Sequence, residues 1–299
     1  MKVLMVIDTK GWVFESHALE IKKRIKEHCF DIVRINADVK SMSNSYDVVY
    51  LLDPFLLRHG YPDPEKCIIG LRCDYLFEDY PYGVEGLYFN GIDGICSKIH
   101  KRCKVFHVIN KYQYDKFNGI VDEKLLLVRN GVDEKLFRNI SAEKEKFVVG
   151  TAGRPLINKG FYLIDAACKK MGVEFKPAMY GKEQIPRDKM PDYYNSISVY
   201  VCMSRNEGWS NGVMEAGFMG VPVISTNCGS ARDLIINGED GIIIDRDISS
   251  LCEAIEMLKD RKIRDRLSGS FYRKIYPEYS WDVRIKDFKD MFNLFDKDL

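Results

Sequence analysis

Short apolar runs alternate with amphipathic stretches along the whole chain. Residues 2–8 (KVLMVID) form a nearly continuous apolar run, which is typical of a strand covered on both faces of a sheet. Residues 16–28 (SHALEIKKRIKEH) place apolar side chains at helical spacing, with lysines on the other side. Further strand-like runs occupy residues 31–35, 47–52, 67–71, 105–109, 125–128, 147–151, 199–203, 221–225 and 241–245. Strands that alternate with helices predict an α/β protein with parallel sheets built from βαβ units.

A polar segment interrupts this alternation near the middle of the chain. Residues 134–146 (EKLFRNISAEKEK) are rich in charge, and the strand–helix series restarts directly after them. We expect an interdomain linker here, although a solvated helix face has a similar composition. The predicted organisation is therefore a Rossmann-like domain over residues 1–133, a second one over residues 147–277 and a closing helical segment over residues 278–299. Ligands of such sheets bind at the carboxyl ends of the strands, so we expect a site in a cleft between the domains.

The composition excludes several classes of protein. The chain has 299 residues, with 45 lysines plus arginines against 44 aspartates plus glutamates, so no overall basic field favours nucleic acid or an anionic membrane. Nine cysteines with no CxxC pair favour reduced thiols in a cytoplasmic protein over a disulfide framework or a zinc site. The first apolar run is too short for a signal peptide, and no stretch is long enough to cross a membrane.

Two glutamates lie eight positions apart in the motif EGWSNGVME. The run over residues 199–203 predicts a strand, so Glu207 lies in the loop at its carboxyl end, and we expect a helix to begin at Gly212, capped by Asn211 or the serine before it. The start of a helix favours an anion, and Glu215, one turn further on, can accept two hydrogen bonds from a diol. A nucleotide diphosphate with its ribose on Glu215 uses all of these features. The simpler alternative is a pair of surface carboxylates near a helix N-terminus.

Two cations follow the first strand of the predicted second domain. In FVVGTAGRPLINKG, the turn after the strand contains Gly153 and Arg154, and Lys159 precedes the next helix. Two cations at the carboxyl end of this strand suit a departing diphosphate. Taken alone, they are equally consistent with solvated surface residues.

In this order the motifs resemble the GT-B glycosyltransferases of glycosyltransferase family 4, the retaining group that uses nucleotide sugars. The matching pieces are NGVD (130–133), GRPLINKG (153–160), the stretch around the two glutamates (190–216), GVPVISTNCGSARDLI (220–235), NGEDGIIIDRD (237–247) and YSWDVRIKDF (279–288). The first 130 residues resemble the family only in strand order and in Gly11. The resemblance implies a GT-B fold, in which the parallel sheets of two Rossmann-like domains face each other across a cleft and a C-terminal helix crosses back to the first domain.

The resemblance also implies roles for individual residues. Arg154 and Lys159 are expected to hold the leaving diphosphate, Glu207 to contact the donor sugar and Glu215 to bind the ribose hydroxyls. The remaining expected donor-binding residues are Gly11 and Gly153 near the phosphates, Asn211, Gly212 and Val213 at the helix start, and Tyr180, Gly181 and Met190 near the base. Contacts with the sugar or acceptor are expected among Trp12, His17, Arg72 and Asp74. The last two lie where the family often has a histidine.

We therefore predict a retaining hexosyltransferase that moves a sugar from a UDP, GDP or ADP donor to an acceptor, without metal or other cofactor. A glycan or lipid-linked glycan is the expected acceptor. A GT-B nucleotide-sugar epimerase and a non-catalytic protein that binds a nucleotide or glycan are the alternatives. The sequence does not determine the donor base, the sugar, the acceptor, the linkage or the oligomeric state.

Three further features have simpler explanations than the functional ones. Residues 245–247 (DRD) resemble a metal-binding DxD motif but follow a strand in a turn, so no metal is expected there. His17, at the start of the first helix, is expected to have a structural role in preference to a contact with the sugar. The basic segment KIHKRCK (98–104) is more typical of a solvated surface than of a weak peripheral contact with a membrane.

Overall fold

The computed structural model describes residues 1–9, 11, 13–35, 37–59, 62–72, 99, 101–138, 146–181 and 184–296. The chain divides into two compact units. The first comprises Met1–Gly131 together with Trp281–Leu299, and the second is Val132–Ser280. The start of the predicted linker belongs to the second unit, where Phe137 is buried with its ring centre 5.9 Å from that of Tyr194. Residues 139–145 of that linker lie outside the described part.

The first unit contains a six-stranded parallel sheet in the order β2-β1-β3-β4-β5-β6. Its strands are β1 (Lys2–Ile7), β2 (Cys29–Arg34), β3 (Val48–Leu51), β4 (Cys67–Leu71), β5 (Val105–Val108) and β6 (Leu125–Leu127). The described helices between them are α1 (Val13–Arg24), α2 (Val39–Ser43) and α3 (Lys111–Phe117). Short 3-10 helices lie at Pro54–His59, Pro64–Lys66 and Asp122–Lys124. The central strands are buried on both faces, which explains why the sequence shows continuous apolar runs rather than alternation.

The C-terminal helix α10 (Trp281–Asp296) completes the core of the first unit. Its buried face includes Trp281, Phe288 and Phe292, which belong to the same apolar cluster as β1, β3 and β4. An ion pair joins it to α1, where Arg24 Nε donates to Asp282 Oδ1 at 2.7 Å. The predicted return of the C-terminal helix to the first domain is confirmed.

The second unit contains a five-stranded parallel sheet in the order β11-β10-β9-β7-β8. Its strands are β7 (Val148–Gly153), β8 (Glu174–Met179), β9 (Val199–Cys202), β10 (Val223–Thr226) and β11 (Ile242–Ile244). Its helices are α4 (Phe161–Met171), α5 (Met190–Ser196), α6 (Asn211–Phe218), α7 (Gly229–Leu234), α8 (Ile248–Met257) and α9 (Arg261–Ile275), with 3-10 turns at Ile157–Lys159 and Arg187–Lys189. Both sheets are parallel, as the alternating pattern predicts.

The strand order of the second sheet determines where a ligand can bind. The chain leaves β7 on one side to form β8 and then crosses to the other side to form β9. The loops after β7 and β9 therefore diverge at a topological switch point, and the crevice between such loops is the usual ligand site of an open parallel sheet. The motifs around Arg154 and Glu207 occupy these two loops.

No helix in the described part of the chain is long and apolar enough to span a bilayer. The cysteines of the described residues are free thiols, and most of them are buried.

Candidate active site

The loops at the carboxyl edge of the second sheet carry most of the predicted site residues. Arg154 directly follows β7, and Tyr180 directly follows the neighbouring strand β8. The Tyr180 N–H donates to the Gly153 carbonyl oxygen at 3.0 Å. The Arg154 guanidinium carbon lies 5.2 Å from the centre of the Tyr180 ring, which is a cation–π contact. The structure thus brings together Gly153, Arg154 and Tyr180.

Three of the predicted glycines have backbone conformations that disfavour other residues. Gly153 has φ of +138°, Gly181 has φ of +135°, and Gly11, in the loop after β1, has φ of +71°. A residue with a Cβ is strained at such angles, whereas glycine is not. The Gly11 N–H also donates to Glu15 Oε2 at 2.5 Å, at the start of α1.

A partly buried ion pair links the loops after β7 and β9. Lys159 Nζ lies 2.5 Å from Glu207 Oε1, and the Ser204 hydroxyl donates to the same oxygen at 2.7 Å. The Lys159 side chain is 26% exposed and that of Glu207 is 15% exposed, so solvent screens the pair less than it screens a surface pair. The family resemblance implies different ligands for the two residues, whereas the structure places their side chains in direct contact.

Helix α6 begins with open N–H groups beside this pair. It starts at Asn211, one residue earlier than expected, with Ser210 at the N-cap position. The expected side-chain cap is absent, because the Ser210 hydroxyl lies against Cys202 Sγ at 3.5 Å and makes no capping bond. The first N–H groups of a helix have no acceptor within it, so those of Asn211, Gly212 and Val213 are available to an anion. The Val213 side chain is fully buried, which leaves only its backbone for this role.

Gly212 allows the start of α6 to pack against the sheet. A Cβ at this position would lie 2.0 Å from the hydroxyl oxygen of Tyr200, which is itself buried in β9. Any side chain at residue 212 would therefore displace the ring or the helix start. The glycine has a packing role in addition to the donor contact that was predicted for it.

Glu215 is a buried carboxylate with a protein partner on each oxygen. Arg187 Nη1 donates to its Oε1 at 2.9 Å, and the Tyr194 hydroxyl donates to its Oε2 at 2.8 Å. Burial and the negative charge of Glu215 raise the pKa of Tyr194 well above its usual value, which keeps this hydroxyl a donor. A carboxylate has about four acceptor positions, so each oxygen can still accept a bond from a ribose hydroxyl.

Sequence reasoning missed Arg187 and Tyr194. Arg187 lies in the 3-10 turn before α5, with its guanidinium carbon 5.2 Å from the centre of the Phe137 ring. Burial by itself lowers the pKa of Arg187, but the charge of Glu215 raises it and the net direction is upward. Tyr194 lies on a helix whose pattern of apolar residues is typical of packing against the core. No local signal connects these residues to Glu215, because the contact spans more than twenty residues.

The remaining predicted residues of the second unit flank these groups. Gly181 follows Tyr180 and is exposed, while the partly buried Met190 begins α5 three residues after Arg187. In the DRD turn, Asp247 accepts from the Ser250 N–H at 2.9 Å and caps α8. Within the described ranges, no group of three or more His, Cys, Asp or Glu side chains could hold a metal ion.

The predicted residues of the first unit are mostly buried. His17 lies inside, with its ring centre 5.6 Å from that of Trp281. Arg72 is also buried, and it donates to the Leu52 carbonyl at 3.1 Å and to Asn130 Oδ1 at 2.5 Å. These contacts give both residues a structural role, and their contact with sugar or acceptor stays a prediction. Trp12, Asp74 and part of the basic segment 98–104 lie outside the described residues.

Arg72 belongs to a buried polar network that the sequence did not predict. Its Nη2 donates to the Tyr50 hydroxyl at 2.5 Å, and that hydroxyl lies 2.7 Å from His107 Nε2. The Arg72 N–H donates to Asp53 Oδ2 at 3.3 Å. Burial raises the pKa of Asp53 to about 7, and burial together with the Arg72 charge lowers the pKa of His107 well below its usual value. The network closes the carboxyl ends of β3 and β4.

Comparison with known proteins finds a family match over the segment that contains the candidate residues of the second unit. Residues 138–260 match the family model described as Glycosyl transferases group 1. This range contains Arg154, Lys159, Arg187, Glu207 and Glu215. The structure is similar to that of Anabaena Alr3699/HepE in complex with UDP and glucose, with a TM-score of 0.78 over 98% of this chain and 99% of that one, at 13% identity. The chain therefore has a GT-B fold, and its residues 138–260 are similar to the group 1 glycosyltransferases.

Two curated relatives match parts of this GT-B chain. One is the capsular polysaccharide biosynthesis glycosyltransferase CapM of Staphylococcus aureus, at 26% identity in an alignment of 208 positions that covers 60% of this chain and 54% of CapM. The other is the UDP-Gal:alpha-D-GlcNAc-diphosphoundecaprenol alpha-1,3-galactosyltransferase of Escherichia coli, at 28% identity over 107 residues, which are 36% of this chain and 28% of that enzyme. The GT-B chain thus matches about half the length of CapM and less of the second relative.

Proposed function

We propose that the protein is a retaining hexosyltransferase that transfers a sugar from a UDP-sugar to a glycan or lipid-linked glycan, without metal. One observation carries the proposal. Arg154, the ion pair of Lys159 and Glu207, and the uncapped start of α6 converge at the switch point of the second sheet. Cations and backbone N–H groups in that position suit the diphosphate of a nucleotide sugar.

The same groups account for the chemistry. Cleavage of the bond between sugar and diphosphate leaves additional negative charge on the terminal phosphate. Arg154, Lys159 and the N–H groups at the start of α6 stabilise that charge where it develops, which is the usual source of rate acceleration in such reactions. Because these groups neutralise the leaving group, the proposed mechanism needs no metal ion. Glu207, which anchors Lys159, lies next to the position of the donor sugar.

The ribose is assigned to Glu215. This carboxylate is buried, negatively charged and oriented by Arg187 and Tyr194. Fixed acceptors of this kind discriminate a diol from an analogue that lacks the hydroxyls, because the unpaired carboxylate is costly when buried. Retention of configuration rests on the family resemblance alone.

Donor and acceptor classes are supported by the relatives. The HepE structure contains UDP and glucose, and the Escherichia coli relative uses UDP-Gal, so UDP is the proposed nucleotide. That relative acts on a sugar linked to diphosphoundecaprenol, and CapM belongs to capsular polysaccharide biosynthesis. A lipid-linked or growing polysaccharide is therefore the proposed acceptor class.

The test combines nucleotide binding with sugar transfer. Thermal unfolding is measured with UDP, GDP and ADP at about a hundred times the Kd, where a ligand of the native state stabilises by about 2.7 kcal/mol. We expect a shift with UDP that is reduced by about half or more in Glu215→Gln and retained in Glu256→Gln, an exposed glutamate on α8. Loss of a charged hydrogen-bond acceptor should weaken binding by about 1.5–3 kcal/mol, or roughly 10- to 100-fold.

Transfer is then assayed with UDP-sugars and lipid-linked or polysaccharide acceptors, with and without EDTA. Activity that EDTA leaves unchanged and Lys159→Ala abolishes supports the whole proposal. Conversion of a UDP-sugar incubated alone, followed by NMR, indicates an epimerase instead. UDP binding without transfer for any acceptor indicates a binding protein, and no shift with any nucleotide overturns the donor site.

A further inference from the structure

Arg246 connects the two loops that carry the candidate catalytic ion pair. It lies in the turn after β11, the one with the DRD sequence. Its Nε donates to the Met203 carbonyl at 2.9 Å, and its Nη2 donates to the Ile157 carbonyl at 2.8 Å. Met203 opens the loop that leads to Glu207, and Ile157 opens the 3-10 turn that ends at Lys159. One guanidinium thus bridges the backbone on both sides of the ion pair.

The loops are already in close contact around this bridge. The Arg205 N–H donates to the Asn158 carbonyl at 2.8 Å. Gly160 has φ of +67°, and a Cβ there would lie 2.5 Å from the Met203 carbonyl oxygen and 3.3 Å from Arg246 Nη2. The close approach of the Met203 carbonyl therefore depends on the absence of a side chain at residue 160, and a Cβ there would also crowd the Arg246 guanidinium.

We propose that Arg246 is a positioning residue that holds the turn with Lys159 against the loop with Glu207. Its geometry explains why an arginine is present. The guanidinium offers several N–H donors in a rigid planar fork, so it can reach two separate carbonyl oxygens at once. A lysine at this position keeps the charge but presents a single ammonium on a flexible stem. Arg246→Lys therefore removes the bridge while leaving the local charge unchanged.

The catalytic consequence rests on the proposed function. Lys159 stabilises the leaving diphosphate only if it lies within bonding distance, and a displacement of about 1 Å can cost about 100-fold in rate. We expect kcat of Arg246→Lys to fall by about 10- to 100-fold, with a smaller change in the KM for the UDP-sugar, because the contact matters most in the transition state.

Arg264→Lys is the matched control. Arg264 also donates to two carbonyl oxygens, those of Leu258 and Lys259, at 2.7 and 2.9 Å, and its guanidinium carbon lies 5.5 Å from the Phe147 ring centre. These bonds secure the end of α8 rather than the catalytic loops. A general loss of stability should appear in both variants, whereas a loss of kcat in the folded protein should appear only in Arg246→Lys. Arg246→Gln, which can donate to one carbonyl, replaces Arg246→Lys if the latter does not fold.

A second measurement separates this inference from the proposed function. Hydrogen–deuterium exchange of the peptide covering residues 155–162 should be faster in Arg246→Lys than in the wild type and in Arg264→Lys. If the wild type transfers no sugar, the proposed function fails, but the exchange result still tests the bridge. Wild-type exchange and wild-type kcat in Arg246→Lys, or an equal loss of kcat in Arg264→Lys, overturns the positioning role.

Discussion

Asp53 and His107 are buried titratable groups that respond to pH in opposite directions. Asp53 has a pKa of about 7 in the folded chain, against an ordinary value of 3.8, because burial disfavours its charged form. Its contribution to stability is complete below about pH 4 and is lost as the pH rises to about 7. Burial and Arg72 lower the pKa of His107. As the pH falls below about 6.5, this histidine is protonated in the unfolded chain but not in the folded one. The free energy of unfolding therefore decreases towards acid pH.

The two contributions should oppose each other between about pH 4 and pH 6.5, and substitution of either residue should reveal the pH dependence that is due to the other. Each group changes the free energy of unfolding by at most about 1.4 kcal/mol per pH unit. Relative to the wild type, stability should rise with pH in Asp53→Asn and fall with pH in His107→Gln. The measurement is denaturant unfolding at several pH values in this window, compared by slope. The double variant should return to the wild-type slope, and wild-type slopes in both single variants contradict the prediction.

Residue-scale contacts mark the limit of what the sequence predicts about the site. Glu207 and Lys159 stand out in the sequence because they follow predicted strands, and Glu215 stands out because it lies one turn into the helix after the second of these strands. Arg187 and Arg246 do not, because each acts on a partner brought close only by the folded sheet. Hydrogen bonds between residues that are distant in the sequence produce no periodic pattern or motif. Such residues are therefore found only in the folded structure.

At the scale of elements, the sequence predicts the strands that are buried on both faces. β1, β3 and β4 are continuous apolar runs because all of their residues except Lys2, at the start of β1, are buried. β8 was missed since it is an edge strand whose residues are largely exposed and which contains Pro177, a residue tolerated only at edges or bulges. β8 therefore lacks the apolar run by which the other strands, including the edge strands β2, β6 and β11, were found.

The core of the first unit should depend on helix α10. Phe292 is fully buried there, with ring centres 5.5 Å from Phe30 and 6.0 Å from Tyr50. Phe292→Ala leaves a cavity and should lower the free energy of unfolding by about 3–5 kcal/mol. Leu294→Ala removes a side chain that is 37% exposed on the same helix and should cost about 0.5 kcal/mol or less. Urea unfolding measures both, and similar midpoints for the two variants contradict the assignment of α10 to this core.

At the scale of the whole molecule, the two sheets present different chemistry at their carboxyl ends. In the second unit the described groups are cations, a buried carboxylate and an uncapped helix start, which together suit a nucleotide diphosphate. In the first unit, Arg72, Tyr50 and His107 are joined by hydrogen bonds in a buried network. The structure therefore predicts that nucleotide binding is a property of the second unit.

Hydrogen exchange with and without UDP tests this division of labour on the full chain. Bound UDP should slow exchange in the loops after β7, β8 and β9, at residues 153–160, 180–190 and 203–215, because it stabilises the folded loops and accepts bonds from their N–H groups. The protection should be reduced in Glu215→Gln at the same UDP concentration. Tyr50→Phe, which alters only the network of the first unit, should retain it. Protection confined to the first unit, or unaffected by Glu215→Gln, would mean that the nucleotide binds elsewhere and that the loops of the second sheet have another ligand.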